Sequence, residues 1–155
     1  MAERQAFIDR IKDAEKEYRV VISALEVYHQ SIVKGSIQLS ASIAPRHVIS
    51  AIDKAESTYL IRMWAEFETA LRSYRRFLTG DSDDRIATSN LIDWMAGVRR
   101  GRAISEDVRD NVHSIRKYRN SLVHERDDTD PPEAISIEIA RKQLNTMLHS
   151  LPFDW

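Results

Sequence analysis

Apolar residues recur at intervals of three and four along most of the chain, the spacing that gathers side chains on one face of a helix. From Glu3 to Val33 the residues Phe7, Ile11, Ala14, Tyr18, Val21, Leu25, Tyr28 and Ile32 alternate in this way. They predict a long helix with a heptad seam. At 1.5 Å per residue it runs to about 40 Å, more than a compact bundle of this size needs throughout. The seam therefore serves either the bundle's own core or, in part, a partner subunit. Lys34-Gly35-Ser36 ends the helix, and 36–46, with Gly35 and Pro45 as breakers, predicts a loop. A second long helix is expected from His47 to Leu78, closed by Thr79-Gly80, with Leu60, Trp64, Phe67, Leu71, Tyr74 and Leu78 forming a wide aromatic core face.

Three shorter helices follow. Asp81-Ser82-Asp83-Asp84-Arg85 is polar loop, and Thr88-Ser89-Asn90 offers a cap for a helix carrying Leu91, Ile92, Trp94, Met95 and Val98, which Arg99-Arg100-Gly101-Arg102 ends. Ser105 caps the next helix, with Glu106 and Asp107 in the first turn, where negative charge favours helix. The run Asp127 to Pro132 cannot continue it, because proline lacks an N–H and disfavours α conformation in the residue before it. Ser136 caps a last helix from Ile137 to about Ser150 that packs Ile137, Ala140, Leu144, Met147 and Leu148, with Phe153 and Trp155 left to tuck back or fray. The expected fold is all-α, a bundle of five helices, two long and three shorter.

Composition agrees. The chain has 155 residues, 43% apolar and 30% charged, with four Gly and four Pro, the usage of helices in one domain spanning 1–155. It contains no Cys, so a disulfide framework, a zinc ribbon and a thiol nucleophile are excluded and a reducing cytoplasm is compatible. The N-terminus lacks the apolar stretch of a signal peptide, and no run approaches about twenty apolar residues. A soluble cytoplasmic protein, with no membrane partner, is the expectation. The net charge of −1 removes any general attraction to nucleic acid, so polyanion binding requires a local patch. Between Arg99 and Arg126 the cations Arg99, Arg100, Arg102, Arg109, Arg116, Lys117, Arg119 and Arg126 outnumber Glu106, Asp107, Asp110 and Glu125.

That patch surrounds Ile115-Arg116-Lys117-Tyr118-Arg119-Asn120-Ser121-Leu122-Val123-His124. On a helix Val108, Val112, Ile115, Leu122 and Val123 form one apolar stripe, and Arg119 falls in the middle of it. Burying a lone cation costs several kcal/mol, so a partner is expected, and Glu68 or Glu56 of the second helix are the candidates. Beside the stripe, Arg109, His113, Arg116, Lys117, Asn120 and His124 make a face of donors suited to an anion.

Arg119, Asn120 and His124, at the end of a helix in an all-helical chain, resemble the motif of the HEPN family: arginine, four to six residues of which the first is polar, then histidine. Trp64-Ala65-Glu66-Phe67-Glu68 is similar to the aromatic-then-Glu helix of some of its subfamilies. The resemblance implies a metal-independent endoribonuclease, without cofactor, in which the RNA 2′-hydroxyl attacks the adjacent phosphorus. His124 would move the proton, Arg119 would neutralise phosphoryl charge and Asn120 would position them. Arg116, Lys117 and His113 would hold backbone phosphates, with Glu68 supporting Arg119. Products would end in 2′,3′-cyclic phosphate, and DNA, lacking the hydroxyl, would not be a substrate. On a regular helix Arg119 and His124 lie about 140° apart. The resemblance implies a homodimer that lines one cleft with two motif helices. A toxin or phage-defence effector, restrained by an antitoxin or regulatory protein, is the implied role. Some relatives carry a tyrosine after the histidine as a target of nucleotide addition, but here Glu125-Arg126-Asp127 follow, so that regulation is not expected.

Two other readings bear on the same residues. Arg119 could serve structure alone, and the fold could be a catalytically silent module binding RNA, a nucleotide or a protein. Glu26-Val27-Tyr28-His29 has the Glu-x-x-His spacing of di-iron bundles, but a second copy of that spacing is absent.

Overall fold

Helices α1 (Glu3–Val33), α2 (Pro45–Thr79), α3 (Thr88–Gly97), α4 (Glu106–Val123) and α5 (Ile137–Ser150) build the computed structural model, which describes residues 3–80, 85–97, 104–124, 131–151 and 155. No strand occurs among the described residues, so the chain is all-α, with two long and three shorter helices as the periodicity predicts. None of these helices is both long and apolar enough to cross a membrane.

Local chemistry sets the ends. Gly35, with φ of 70°, turns the chain out of α1, and Gly80, with φ of 71°, closes α2 by donating its N–H to Arg76 O at 2.8 Å. A left-handed conformation costs glycine nothing. Ser105 and Ser136 cap α4 and α5, their hydroxyls accepting from Val108 N and Ile139 N. Two expected boundaries move. Pro45 starts α2 instead of breaking before it, since its fixed φ suits the first helical position and the N–H it lacks would have had no helical partner. Thr88 is the first residue of α3, and its hydroxyl is spent on α2. The expected end of α3 at 99–102 lies outside the described residues.

α1 and α2 run antiparallel along each other, since Glu3 meets Ser73, Arg10 meets Glu66 and Glu17 meets Arg62. Their paired lower halves form one wall of a core to which all five helices contribute. Phe7, Ile8 and Ile11 of α1 close on Trp64, Phe67, Leu71 and Tyr74 of α2, with Leu91, Ile92, Val112, Ile115, Leu144 and Leu148 on the other side. Polar ties fix the register. Glu15, 6% exposed, accepts from Arg19 at 2.6 Å and pairs with Arg141 of α5. Glu56 of α2 accepts from Ile137 N at 2.8 Å, placing negative charge at the N-terminus of α5.

The upper part of the helix pair leaves the core. On α1 nothing beyond Glu15 is buried, and on α2 only Val48 and Ala55 are buried before Leu60. The heptad seam therefore divides: Phe7, Ile11 and Ala14 belong to the core, whereas Tyr18, Val21, Leu25, Tyr28 and Ile32 are half-buried in a projecting two-helix arm.

Residue 155 tucks back. Trp155 O accepts from Glu3 N at 2.9 Å, and its ring lies 4.8 Å from Tyr74, centroid to centroid. Trp155→Ala is expected to lower unfolding free energy in denaturant titration by about 2 kcal/mol, below the cost of emptying a full core site because the indole is half-buried.

Candidate functional site

α4 turns Val112 and Ile115 into the core, and Val108, Tyr118 and Leu122 pack against its edge. Val123 does not join them. It is 44% exposed, because it is the last helical residue, where the chain leaves the bundle. Arg119 continues the line of Val112 and Ile115 and is half-buried.

The guanidinium finds no carboxylate among the described residues. Its Nη1 donates to Asn120 Oδ1 at 3.1 Å, while its Nε is buried without a partner among the described residues. Glu68, expected to hold it, is engaged elsewhere: Arg72 donates to Glu68 Oε1 from Nη2 at 2.7 Å and from Nε at 3.2 Å, and Thr88 donates to the same oxygen at 2.8 Å. The physical reason is local, since Arg72 stands four residues along the same helix and needs no tertiary alignment. Glu56, the other candidate, caps α5.

Glu68 thereby becomes the pin between α2 and α3. Burial alone would raise its pKa, but the hydrogen bonds from Arg72 and Thr88 and the charge of Arg72 outweigh it and hold the carboxyl below its usual range. A depressed folded pKa contributes stability above the unfolded value of about 4.3, which is lost as pH falls through the folded value. Glu68→Gln should cost about 1–2 kcal/mol at pH 7, and the difference from the parent should narrow progressively as pH falls below the ordinary carboxylate range, as read by denaturant unfolding across an acid pH series.

The remaining members of the basic face divide. His113, a phosphate contact by its place on the helix face, instead has its Nε2 2.8 Å from Asp93 Oδ1, a strut from α4 to α3. This pairing removes the ring from the anion face, because α3 lies against that flank. Arg109 is paired with Asp110 beside it. Lys117 is exposed, and Arg116 keeps a buried Nε with no partner among the described residues. Arg116, Arg119 and Asn120 stand at i, i+3 and i+4, so they adjoin on the helix surface. Arg99, Arg100, Arg102, Glu125, Arg126 and Asp127 lie outside the described residues.

His124 terminates α4. Its N–H still bonds Asn120 O at 3.0 Å, but its φ of −112° and ψ of 116° are extended, and the residue is exposed. The chain leaves the helix at this residue, and among the described residues the ring has no partner. Asn120 is the hinge of the group. Its carbonyl oxygen accepts from Arg119, and its NH₂ donors have no partner among the described residues. Burial, with a smaller contribution from the Glu56 carboxylate, pushes the Tyr118 phenol above its ordinary pKa and keeps it neutral beside these cations.

The arrangement offers three kinds of donor within about two and a quarter turns: the guanidinium groups of Arg116 and Arg119, an amide NH₂ and an imidazole. It suits an oxyanion, which accepts several donors at once and is charge-matched to arginine. Asp93, Arg72 and Tyr118 were not anticipated from the sequence. The spacing Glu68-x-x-x-Arg72 was a usable signal, whereas the pairing of His113 with Asp93 depends on tertiary packing. On the arm, Glu26 and His29 gather no third ligand, and no three of His, Asp and Glu come together among the described residues. Compared with protein-family models, curated proteins and solved structures, the chain matches none.

Proposed function

We propose that this chain is a metal-independent endoribonuclease of the HEPN kind, a toxin or antiphage effector that cuts RNA through its own 2′-hydroxyl. One observation carries the reading. Arg119 sits half-buried on a core-facing stripe without a carboxylate among the described residues, hydrogen-bonded to Asn120 and followed by an exposed imidazole at the helix end. A cation that is partly desolvated and unneutralised binds anions strongly, because attraction grows as the local dielectric falls.

In the proposed reaction the 2′-oxygen forms a bond to phosphorus as the 5′-oxygen of the next nucleotide leaves. His124 takes the hydroxyl proton or delivers one to the leaving oxygen, and charge gathering on the phosphoryl oxygens falls on Arg119. Asn120 holds the guanidinium and donates to a phosphate oxygen, while Arg116 and Lys117 bind flanking phosphates. A homodimer belongs to the reading, since a second α4 would supply the partner group that one helix presents at a wide angle. Incubation of labelled RNA with the protein in EDTA tests it: fragments ending in 2′,3′-cyclic phosphate, with DNA of the same sequence untouched, are expected. Retention of RNA without cleavage would instead indicate the silent binding module.

A further inference from the structure

Between α1 and α2 the arm carries a groove of about 440 Å³. Its floor is apolar and low: Val21 and Leu25 of α1 lie against Ala51 and Ala55 of α2, each pair four residues apart and so one above the other. Thr58 continues the row, and its hydroxyl donates to Lys54 O at 2.9 Å, so it brings no unsatisfied donor to the floor. From His47 to Thr58 the row is about 17 Å long, or about three turns.

The rim is polar in one sense only. Lys54 is exposed, and its ammonium has no partner among the described residues. His47 Nδ1 accepts from Ala44 N at 3.1 Å, so the ring proton sits on Nε2, which is left to donate. No Asp or Glu lines the groove, and none occurs in the sequence from Val27 to Ile52. Asp53 and Glu56 stand about 100° or more round α2 from Lys54, and Glu17, below the groove, is held by Arg62.

We propose that this groove takes an amphipathic helix of another protein, whose apolar ridge lies along the floor and whose carboxylates meet Lys54 and His47. Shape and charge together select the occupant. The small side chains of Ala51, Ala55 and Thr58 let a third helix approach to the roughly 8–10 Å axial distance of packed helices, and it covers Val21 and Leu25, which α1 and α2 leave half-buried. Lys54 and His47 are about two turns apart, so one helix meets both with acids at the same spacing. An acyl chain with a carboxylate matches the charge, but it needs a pocket that closes round it, whereas this groove is open to solvent. Round α2, His47, Ala51, Lys54 and Thr58 lie about 140–180° from Glu56, the residue that reaches α5. The groove therefore opens on the far side of α2 from α5, and a helix seated there leaves α4 free. The inference does not rest on the ribonuclease reading, since it concerns another surface.

Fluorescence anisotropy of the full chain with two labelled helical peptides tests the docking. Both peptides are about fifteen residues long with leucines at alternating intervals of three and four; beside that ridge one carries glutamates two turns apart and the other lysines. The glutamate peptide should bind, and the lysine peptide at least about tenfold more weakly. Lys54→Glu should reverse that order. Ala51→Gln, which lays a longer uncharged side chain across the floor from an exposed helical position, should weaken the glutamate peptide at least about fivefold, with circular dichroism unchanged. Arg119→Met should leave its affinity within about twofold, which separates the groove from the cations of α4. No binding of the glutamate peptide, equal binding of both peptides, or indifference to Lys54→Glu and Ala51→Gln overturns the proposal. So does a protein that takes dodecanoate but neither peptide, or one whose self-association is abolished by Ala51→Gln, since the groove would then belong to a small amphiphile or to a second copy.

Discussion

His124→Ala should lower the rate of RNA cleavage by about 10²–10⁴-fold while leaving RNA affinity and stability near those of the parent. The range is that of a general acid or base, and the separation of rate from affinity follows from the place of the residue. His124 is exposed at the end of α4, and its fixed contact there is through its backbone N–H, so trimming the ring empties no core site. Phosphate binding rests in this reading on Arg116, Arg119 and Asn120, which the substitution leaves intact. Single-turnover cleavage in EDTA reads the rate and filter retention of the same RNA reads the affinity. Equal cleavage by both proteins would sink the assignment of the proton to His124, and loss of binding along with rate would move the histidine from chemistry to substrate contact. In cells, growth arrest on expression of the parent and relief by the same substitution would speak for the toxin role.

Periodicity and capping made the five helices legible, because each depends on residues near in sequence: Ser105 and Ser136 for starts, Gly35 and Gly80 for ends, the alternation of three and four for faces. Partner choice was not legible in the same way. Asp93 could be matched to His113 only once α3 was laid against α4, and the capture of Glu56 by the N-terminus of α5 required both helices in place. Glu68 is held by a nearer partner: Arg72 stands four residues along the same helix, and this local pairing costs less order to form than a tertiary one with Arg119. Which part of the long seam stays outside the core was not legible for a further reason. A heptad seam reads the same whether it is covered from within or from outside, and only the exposure of Val20, Val27 and Val33 separates the two cases.

Substituting Arg119 distinguishes a structural cation from a functional one by setting stability against rate. A buried arginine that holds a carboxylate leaves an unpaired charge behind when removed and costs about 3–5 kcal/mol. Here no carboxylate among the described residues would be orphaned, the amide of Asn120 can turn to solvent, and a buried Nε without a partner would be replaced by apolar surface continuous with Val112 and Ile115. Arg119→Met should therefore shift unfolding free energy by no more than about 1 kcal/mol, in either direction, since methionine matches the stem in length and in helix propensity. Cleavage should fall by about 10²–10³-fold, the loss seen when one preorganised donor to a developing oxyanion is removed, equivalent to about 2.7–4 kcal/mol of transition-state stabilisation. Arg119→Lys should recover part of that, because an ammonium restores the charge but not the planar pair of donors. A methionine variant that unfolds at several kcal/mol below the parent would assign the guanidinium to the fold. A stable one that cleaves at the parent's rate would remove Arg119 from the reaction and with it the observation on which the ribonuclease reading stands.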